Sequence, residues 1–241
     1  MKNIPVLLVF ILFSTLTASA NNTPPYTVGV RLNVFASSGL KLRAFPSRNA
    51  EVLDIVRYGD VVEVLNTFEF AEDKADRIDW LDGHWILVEY DGIAGYLFDG
   101  YLSALPFPGS EEEICQDGYS FAYTLGEYFD RNFGIPQTID STDWKLSYRL
   151  DQGIKVKRII EEQVWNIEID IPEIRINEIL NLLRSMLPDR EAQIQFENSL
   201  IFIEGMQATI DEIKINLGDE VTLKKKPNGH LLVKASGVIG C

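Results

Sequence analysis

The sequence predicts a small all-β barrel followed by a second domain of α+β type. One observation is a series of short runs rich in β-branched and aromatic residues within 26–105, separated by turn residues. Another is a pair of amphipathic helical patterns among longer strand-like runs within 114–241. A third is the stretch 106–113, where two prolines, a glycine, a serine and three glutamates interrupt the apolar periodicity. We interpret that stretch as a linker.

The first twenty residues, 1–20, have the layout of a cleavable secretory signal. Lys2 gives a basic start, Ile4–Phe13 is an apolar run, and Ala18-Ser19-Ala20 is a small-residue end. The apolar run is half as long as a spanning helix, which needs about 20 residues. We therefore predict cleavage after Ala20, no membrane span in the mature chain, and export to a periplasm or out of the cell.

The charge of the chain narrows the choice of partners. There are 22 basic and 36 acidic side chains, for a net charge of −14. A protein of this charge repels nucleic acid. We expect no nucleic-acid partner, and the sequence does not indicate an oligomeric state.

The barrel is predicted from five strand-like runs with turns between them. In chain order the runs are Leu40–Ala44, Glu51–Val56, Asp60–Leu65, His84–Tyr90 and Ala94–Phe98.

Short motifs follow one another in a characteristic order along residues 28–105. They are Arg43 with the Pro46-Ser47 turn, Gly59 before Val61, Trp85 three positions before Val88, Gly95-Tyr96, and Tyr101-Leu102. This ordered set resembles the bacterial SH3 (SH3b) domain of cell-envelope proteins. The resemblance implies an SH3-like barrel that engages cell-wall (peptidoglycan) peptide or an envelope protein. The chain departs from the family pattern at Asn66–Gly83, which makes the connection before Trp85 unusually long.

Four aromatic side chains of the barrel, Trp85, Tyr90, Tyr96 and Tyr101, are candidate ligand contacts. Aromatic rings bind peptides and sugars because they combine an apolar body with a polar tip. The alternative is that these rings cover the core. Trp85 and Val88 are three residues apart and therefore face opposite sides of a regular strand, unless a bulge intervenes.

The second domain, 114–241, is predicted to contain an antiparallel sheet of about six strands with two helices on one face. The helices are expected within Asp117–Gly134 and Ile176–Leu187, where apolar residues recur at three-to-four spacing. A strand at the start of the first segment is the alternative, because Tyr119, Phe121, Tyr123 and Leu125 also alternate. The strand-like runs are Trp144–Leu150, Ile154–Glu162, Val164–Ile171, Ser199–Glu204, Ile210–Leu217, Glu220–Lys226 and His230–Ser236.

Catalytic and metal-binding patterns are weak. Cys115 and His230 could form a Cys–His peptidase pair, but Glu111–Glu113 would oppose a thiolate and the peptidase motif around the cysteine is absent. Four aspartates recur every three residues, which is not the spacing of a calcium loop and indicates a solvated acidic loop. They are Asp73, Asp76, Asp79 and Asp82. We predict no catalytic residue, no metal site and no cofactor.

Cys115 and Cys241 are the only cysteines, and they stand near the two ends of the second domain. In an oxidising compartment they could form a disulfide. The alternative is two separate thiols, with Cys115 packed as a small apolar residue and Cys241 at a frayed terminus.

Three functions remain compatible with the sequence. The leading hypothesis is an exported, non-enzymatic binding protein whose barrel engages cell-wall peptide or an envelope partner. The alternatives are a cell-wall hydrolase with its active site in 106–241 and a purely structural envelope component.

Overall fold

The computed structural model describes residues 26–66, 75–108, 120–161, 164–187, 189–204, 210–217 and 219–238. They form two antiparallel sheets, each of eight strands, with three α-helices. None of the helices in these ranges is long and apolar enough to cross a membrane.

The N-terminal sheet has the strand order β3-β2-β7-β6-β4-β1-β8, and β5 pairs with β6. Its strands are β1 (Arg31–Val34), β2 (Leu40–Arg43), β3 (Val52–Val56), β4 (Val61–Asn66), β5 (Ala75–Ile78), β6 (Leu81–Tyr90), β7 (Ile93–Phe98) and β8 (Leu102–Ser103).

The N-terminal sheet curls around an apolar core, as the barrel prediction requires. Leu32, Leu42, Val62, Ile86 and Leu97 come from five different strands, and all are buried in that core. Apolar side chains that alternate along these strands point to the same face and pack together inside the curled sheet, of which β3 and β8 are the two end strands.

All five predicted barrel strands are present, and three further strands were not predicted. β1 and β8 are short, and β5 lies within the long connection Asn66–Gly83. β5 forms a hairpin with the start of β6, so that Ile78 stands opposite Leu81 in the register. Part of the connection that departs from the family pattern is therefore an ordered extension of the barrel.

The C-terminal sheet has the order β13-β14-β15-β16-β12-β11-β10-β9. Its strands are β9 (Gln137–Ser141), β10 (Lys145–Arg149), β11 (Lys155–Glu161), β12 (Val164–Ile171), β13 (Ile201–Glu204), β14 (Ile210–Leu217), β15 (Asp219–Lys225) and β16 (Leu231–Val238). The helices are α1 (Phe121–Asn132), α2 (Ile176–Ser185) and α3 (Arg190–Ser199).

The helices cover one face of this sheet. A single row of register partners crosses six strands, and every member of the row is buried. The row is Ile213, Leu223, Val233, Ile169, Val156 and Tyr148. The strict alternation of apolar residues along these strands thus produces one packed face.

The predicted numbers of about six strands and two helices are too low for the described residues. α3 was missed because only Ala192 and Phe196 of its ten residues are buried, which leaves almost no apolar stripe. Its N-terminus is nevertheless capped by Asp189, whose carboxylate accepts from the Ala192 N–H at 2.8 Å. β9 was missed because it is an edge strand with all five residues exposed, so no alternation marks it.

The two sheets share a second core. Leu81, Trp85, Phe98 and Leu105 from the N-terminal part lie in the same apolar cluster as the helices of the C-terminal part. The predicted linker 106–113 is described only as far as Pro108. There the Pro106 carbonyl accepts from the Tyr128 hydroxyl at 2.7 Å.

A buried polar network fastens α2 to the short 3₁₀ turn Asp99–Tyr101 of the barrel. Asp99 is fully buried and binds the Arg175 guanidinium at 2.7 Å. Glu178 accepts from the Ser103 hydroxyl at 2.8 Å, and Asn181 donates to the Gly100 carbonyl at 2.8 Å. Buried charges that are paired in this way hold their partners in one relative position.

Candidate functional site

A cleft of about 610 Å³ opens at the junction of the barrel with α2 and α3. The loop between β1 and β2 forms one wall, with Ser37 and Ser38. The β5–β6 turn forms a second wall through Ile78 and Asp79. Helices α2 and α3 close the remaining side.

The floor of the cleft is aromatic. Trp85 is 4% exposed, and its ring packs edge-on against Phe98 with 6.0 Å between the centroids. Phe98 packs in the same way against Tyr101, at 6.2 Å. The Arg43 guanidinium stands 6.0 Å from the centre of the Trp85 ring. A cation near an indole in this way adds a favourable electrostatic contact and leaves the charge at the cleft.

The β5–β6 hairpin is fixed to the floor by two of its aspartates. The Trp85 Nε1–H donates to Asp76 at 3.2 Å, and the same carboxylate accepts from the Arg48 guanidinium. The hydrogen bond from Arg48 holds the pKa of Asp76 below its ordinary value. Asp79 accepts from the Tyr101 hydroxyl at 2.5 Å. Burial, together with this carboxylate acceptor, raises the pKa of Tyr101.

Two aspartates of the predicted solvated acidic loop also make hydrogen bonds that hold the cleft wall in place: Asp76, which is partly buried, and Asp79, which is exposed. Asp82 is exposed and lies 3.6 Å from the Arg77 guanidinium. Asp73 lies outside the described residues. Within the described part of the chain, no cluster of acidic, histidine or cysteine side chains could hold a metal ion.

Charged side chains from both parts of the molecule line the cleft. Arg184 of α2 binds Glu197 of α3 at 2.8 Å and also lies 3.4 Å from the Ser37 hydroxyl. Glu197 accepts a second guanidinium, that of Arg190, at 3.1 Å. Lys41 extends from β2 on the barrel side.

The structure brings together two of the four predicted aromatic contacts. Trp85 and Tyr101 lie in the cleft, whereas Tyr90 and Tyr96 lie outside it. The Tyr90 hydroxyl donates to Asp60 at 2.5 Å, and Tyr96 packs against the shared core. Ligand contact by all four rings stays a prediction.

The expectation that Trp85 and Val88 face opposite sides of their strand is confirmed. Trp85 packs into the core shared with the helices, and Val88 packs into the barrel's own core.

Sequence reasoning missed the charged residues of the cleft. Arg184 and Ser37 meet although 147 positions separate them in the chain. No local pattern marks Arg184, Arg190 or Glu197 as site residues. The unusual length of Asn66–Gly83 was the one available signal, because this connection supplies a wall.

The candidate Cys–His pair gains no support. His230 Nδ1 lies 2.9 Å from the Asp170 carboxylate, which also binds Lys226 at 2.9 Å. Cys115 and Cys241 both fall outside the described residues, so the predicted disulfide stays a prediction.

Comparison with known proteins identifies the N-terminal part. Residues 38–103 match the family model described as the bacterial SH3 domain, which confirms the resemblance drawn from the motifs. The rest of the chain matches no family model. Neither the curated proteins nor the solved structures contain a match to this chain.

Proposed function

We propose that this chain is an exported, non-enzymatic binding protein that attaches to the cell wall by holding a peptidoglycan peptide in the cleft between its barrel and its helices. Bacterial SH3 domains are in general cell-wall binding modules. The observation that carries the proposal is the cleft itself. It combines an aromatic floor, formed by Trp85 and Tyr101, with charged walls.

The chemistry of the cleft suits a peptide. Binding sites are usually concave, with apolar and aromatic linings and a few polar groups that set the orientation of the ligand. The half-buried ring of Tyr101 supplies apolar surface, with the buried Trp85 ring packed beneath the floor, and the hydroxyls of Ser37 and Ser38 supply donors and acceptors at the rim. The buried Asp99–Arg175 pair supports a preorganised site, because it holds the barrel wall and the helix wall together.

Export is part of the proposal. Bacterial SH3 domains are typically extracytoplasmic. The basic start, apolar run and small-residue end of 1–20 support cleavage of a secretory signal.

Co-sedimentation with purified peptidoglycan, combined with a turbidity assay on the same material, tests this function. We expect the exported protein to pellet with peptidoglycan without clearing the suspension. Clearing of the suspension would instead identify a hydrolase. A protein that neither pellets nor clears would refute cell-wall binding and leave a structural role.

A further inference from the structure

A second cavity, of about 750 Å³, lies between the two parts of the molecule and shares no lining residue with the cleft. Its walls come from the segment before β1, the segment after β8, the end of α1, the turn between β10 and β11, and the start of α2. Small-molecule sites usually have volumes of about 300–1,000 Å³ and often lie between domains. The second cavity therefore has the size and the position of a ligand site.

Most of the wall of the second cavity is apolar. Its large apolar side chains are buried or half-buried, so this apolar surface lies inside the cavity. They are Tyr26, Val30, Leu105, Pro106, Phe133, Ile154, Ile171, Pro172 and Ile174. A small ligand with an apolar body can reach such a wall, whereas the flat surface of a protein partner cannot.

The charge of the second cavity is negative. Two carboxylates line it, those of Glu173 and Glu178, and none of its lining residues is cationic. Glu173 is exposed, and its carboxylate forms no ion pair within the described part of the chain. Glu178 is only 3% exposed. Charge complementarity therefore favours a ligand that carries a positive charge.

One oxygen of the Glu178 carboxylate is only loosely engaged. Its Oε2 accepts from the Ser103 hydroxyl at 2.8 Å and from the Ala104 N–H at 2.9 Å. Its Oε1 accepts from the backbone N–H and the Nε of Arg175 at 3.3 and 3.4 Å. These two contacts are longer than the usual N–H···O range of about 2.7–3.2 Å. Oε1 can therefore accept a shorter, charge-assisted hydrogen bond from a cation in the cavity.

The buried network around Glu178 lacks a positive charge. Asp99 and Glu178 are both buried, and Arg175 is the one cation that pairs with them among the described residues. Burial, with a further contribution from Glu178, raises the pKa of Asp99 to about 7. One turn further along α2, the buried Oδ1 of Asn181 has no hydrogen-bond donor within the described residues. A cation beside Glu178 would offset the second buried carboxylate.

We infer that the second cavity binds a small organic amine, with the ammonium group beside Glu178 and the alkyl body along the apolar wall. Thr27 and Gln152 supply further polar atoms on this wall, and Glu173 adds a negative charge that attracts the amine. A metal ion such as calcium would need about six to eight oxygen ligands, which a mostly apolar wall does not offer. The inference goes beyond the proposed function, because this site lies apart from the cleft.

Ligand-detected NMR titrations on the exported protein at neutral pH test the inference with three matched probes. Hexylammonium, hexan-1-ol and hexanoate share an alkyl chain and differ in charge. Because a charge-assisted hydrogen bond is about twice as strong as a neutral one, we expect hexylammonium to bind at least about tenfold more tightly than hexan-1-ol. Hexanoate should bind most weakly, because the carboxylates of the cavity repel it. Equal affinity for the amine and the alcohol, or no binding of the amine, would overturn the inference.

Four variants locate the contact. Glu178→Gln keeps the size of the side chain and should abolish the preference for the amine, and Glu173→Gln should weaken the amine without changing the affinity for hexan-1-ol. Ala104→Trp places a large ring at the wall of the cavity and should weaken both probes at least about tenfold. Glu89→Gln is the matched control, because Glu89 is exposed on β6 and should leave every affinity unchanged.

Thermal melts of each variant verify folding. An amine preference that survives in folded Glu178→Gln would contradict the inference. If Glu178→Gln does not fold, the exposed positions decide: wild-type affinities in both Glu173→Gln and Ala104→Trp would exclude the second cavity as the amine site, and weaker amine binding in both would support it.

Peptidoglycan co-sedimentation distinguishes this inference from the proposed function. Ala104→Trp should pellet with peptidoglycan as the wild-type protein does, because Ala104 does not line the cleft. If hexylammonium instead releases the wild-type protein from peptidoglycan, the second cavity is part of the cell-wall site and a separate amine site is excluded. A wild-type protein that binds hexylammonium but does not pellet with peptidoglycan would support the inference and refute the proposed function.

Discussion

Replacing Arg175 with methionine is expected to weaken the junction between the barrel and α2. Methionine keeps much of the length of the side chain but removes the guanidinium, which binds Asp99 at 2.7 Å and donates to the Leu102 carbonyl at 3.2 Å. Asp99 is fully buried, and its other oxygen accepts from the His84 N–H at 2.6 Å. The variant therefore leaves a carboxylate without its counter-ion inside the protein.

The size of the loss follows from this geometry. Breaking a buried ion pair by removing one partner costs about 3–5 kcal/mol of unfolding free energy, because the remaining charge stays buried. Burial, with a further contribution from the Glu178 carboxylate, raises the pKa of Asp99 to about 7. The folded state thus holds this proton more tightly than the unfolded chain, where an aspartate ionises at about pH 3.9.

The stability that Asp99 contributes therefore falls as the pH rises, whereas in ordinary acid denaturation stability falls as the pH falls. The contribution of Asp99 to stability is complete below the unfolded pKa and is lost as the pH rises through the folded value. We expect Arg175→Met to show its full loss at about pH 8 and a smaller loss at about pH 5, where Asp99 is protonated.

Urea denaturation at the two pH values, followed by far-UV circular dichroism, measures the effect. The double variant Asp99→Asn/Arg175→Met is the control, because an amide keeps the acceptor for the His84 N–H without a charge, and it should recover part of the stability at the higher pH. If Arg175→Met is equally destabilised at both pH values, this account of the buried pair is wrong.

Three further predictions concern single residues and the chain ends. Trp85→Ala should lower the unfolding free energy by about 3–5 kcal/mol, since the ring is buried in the core that the barrel shares with the helices; an unchanged melting curve would contradict its assignment to the core. The intact mass of the exported protein should correspond to a chain that begins at Asn21, and a mass that includes 1–20 would exclude cleavage there. A non-reducing peptide map should show Cys115 linked to Cys241, whereas two alkylatable thiols would end that hypothesis.

Much of the fold follows from local patterns in the sequence. Strand propensity is enough to predict β4, from its valine-rich run, and β12, from its alternating run. Helical spacing of apolar residues is enough to predict α2. α3 and β9 were not predicted, because few or none of their residues are buried. Their sequences therefore lack the apolar periodicity that marks a buried helix face or strand face.

The candidate site could be predicted only in part. Trp85 and Tyr101 could be predicted as candidate ligand contacts, because they are aromatic residues within a barrel that the sequence motifs identify. Arg184 and Arg190 reach the cleft only because α2 docks on the barrel, and this docking depends on contacts such as Arg175 with Asp99 between distant parts of the chain. Such contacts leave no periodic signal in the sequence.

The most direct test of the central claim is to fill the cleft and measure binding to the cell wall. Ser38 is an exposed residue at the cleft rim, and Ser141 is an exposed residue on β9, an edge strand of the other sheet. In co-sedimentation with purified peptidoglycan, Ser38→Trp should bind at least about tenfold more weakly than the wild-type protein, while Ser141→Trp should bind as the wild type does. Wild-type binding by a folded Ser38→Trp variant would contradict the claim that the cleft holds the cell-wall peptide.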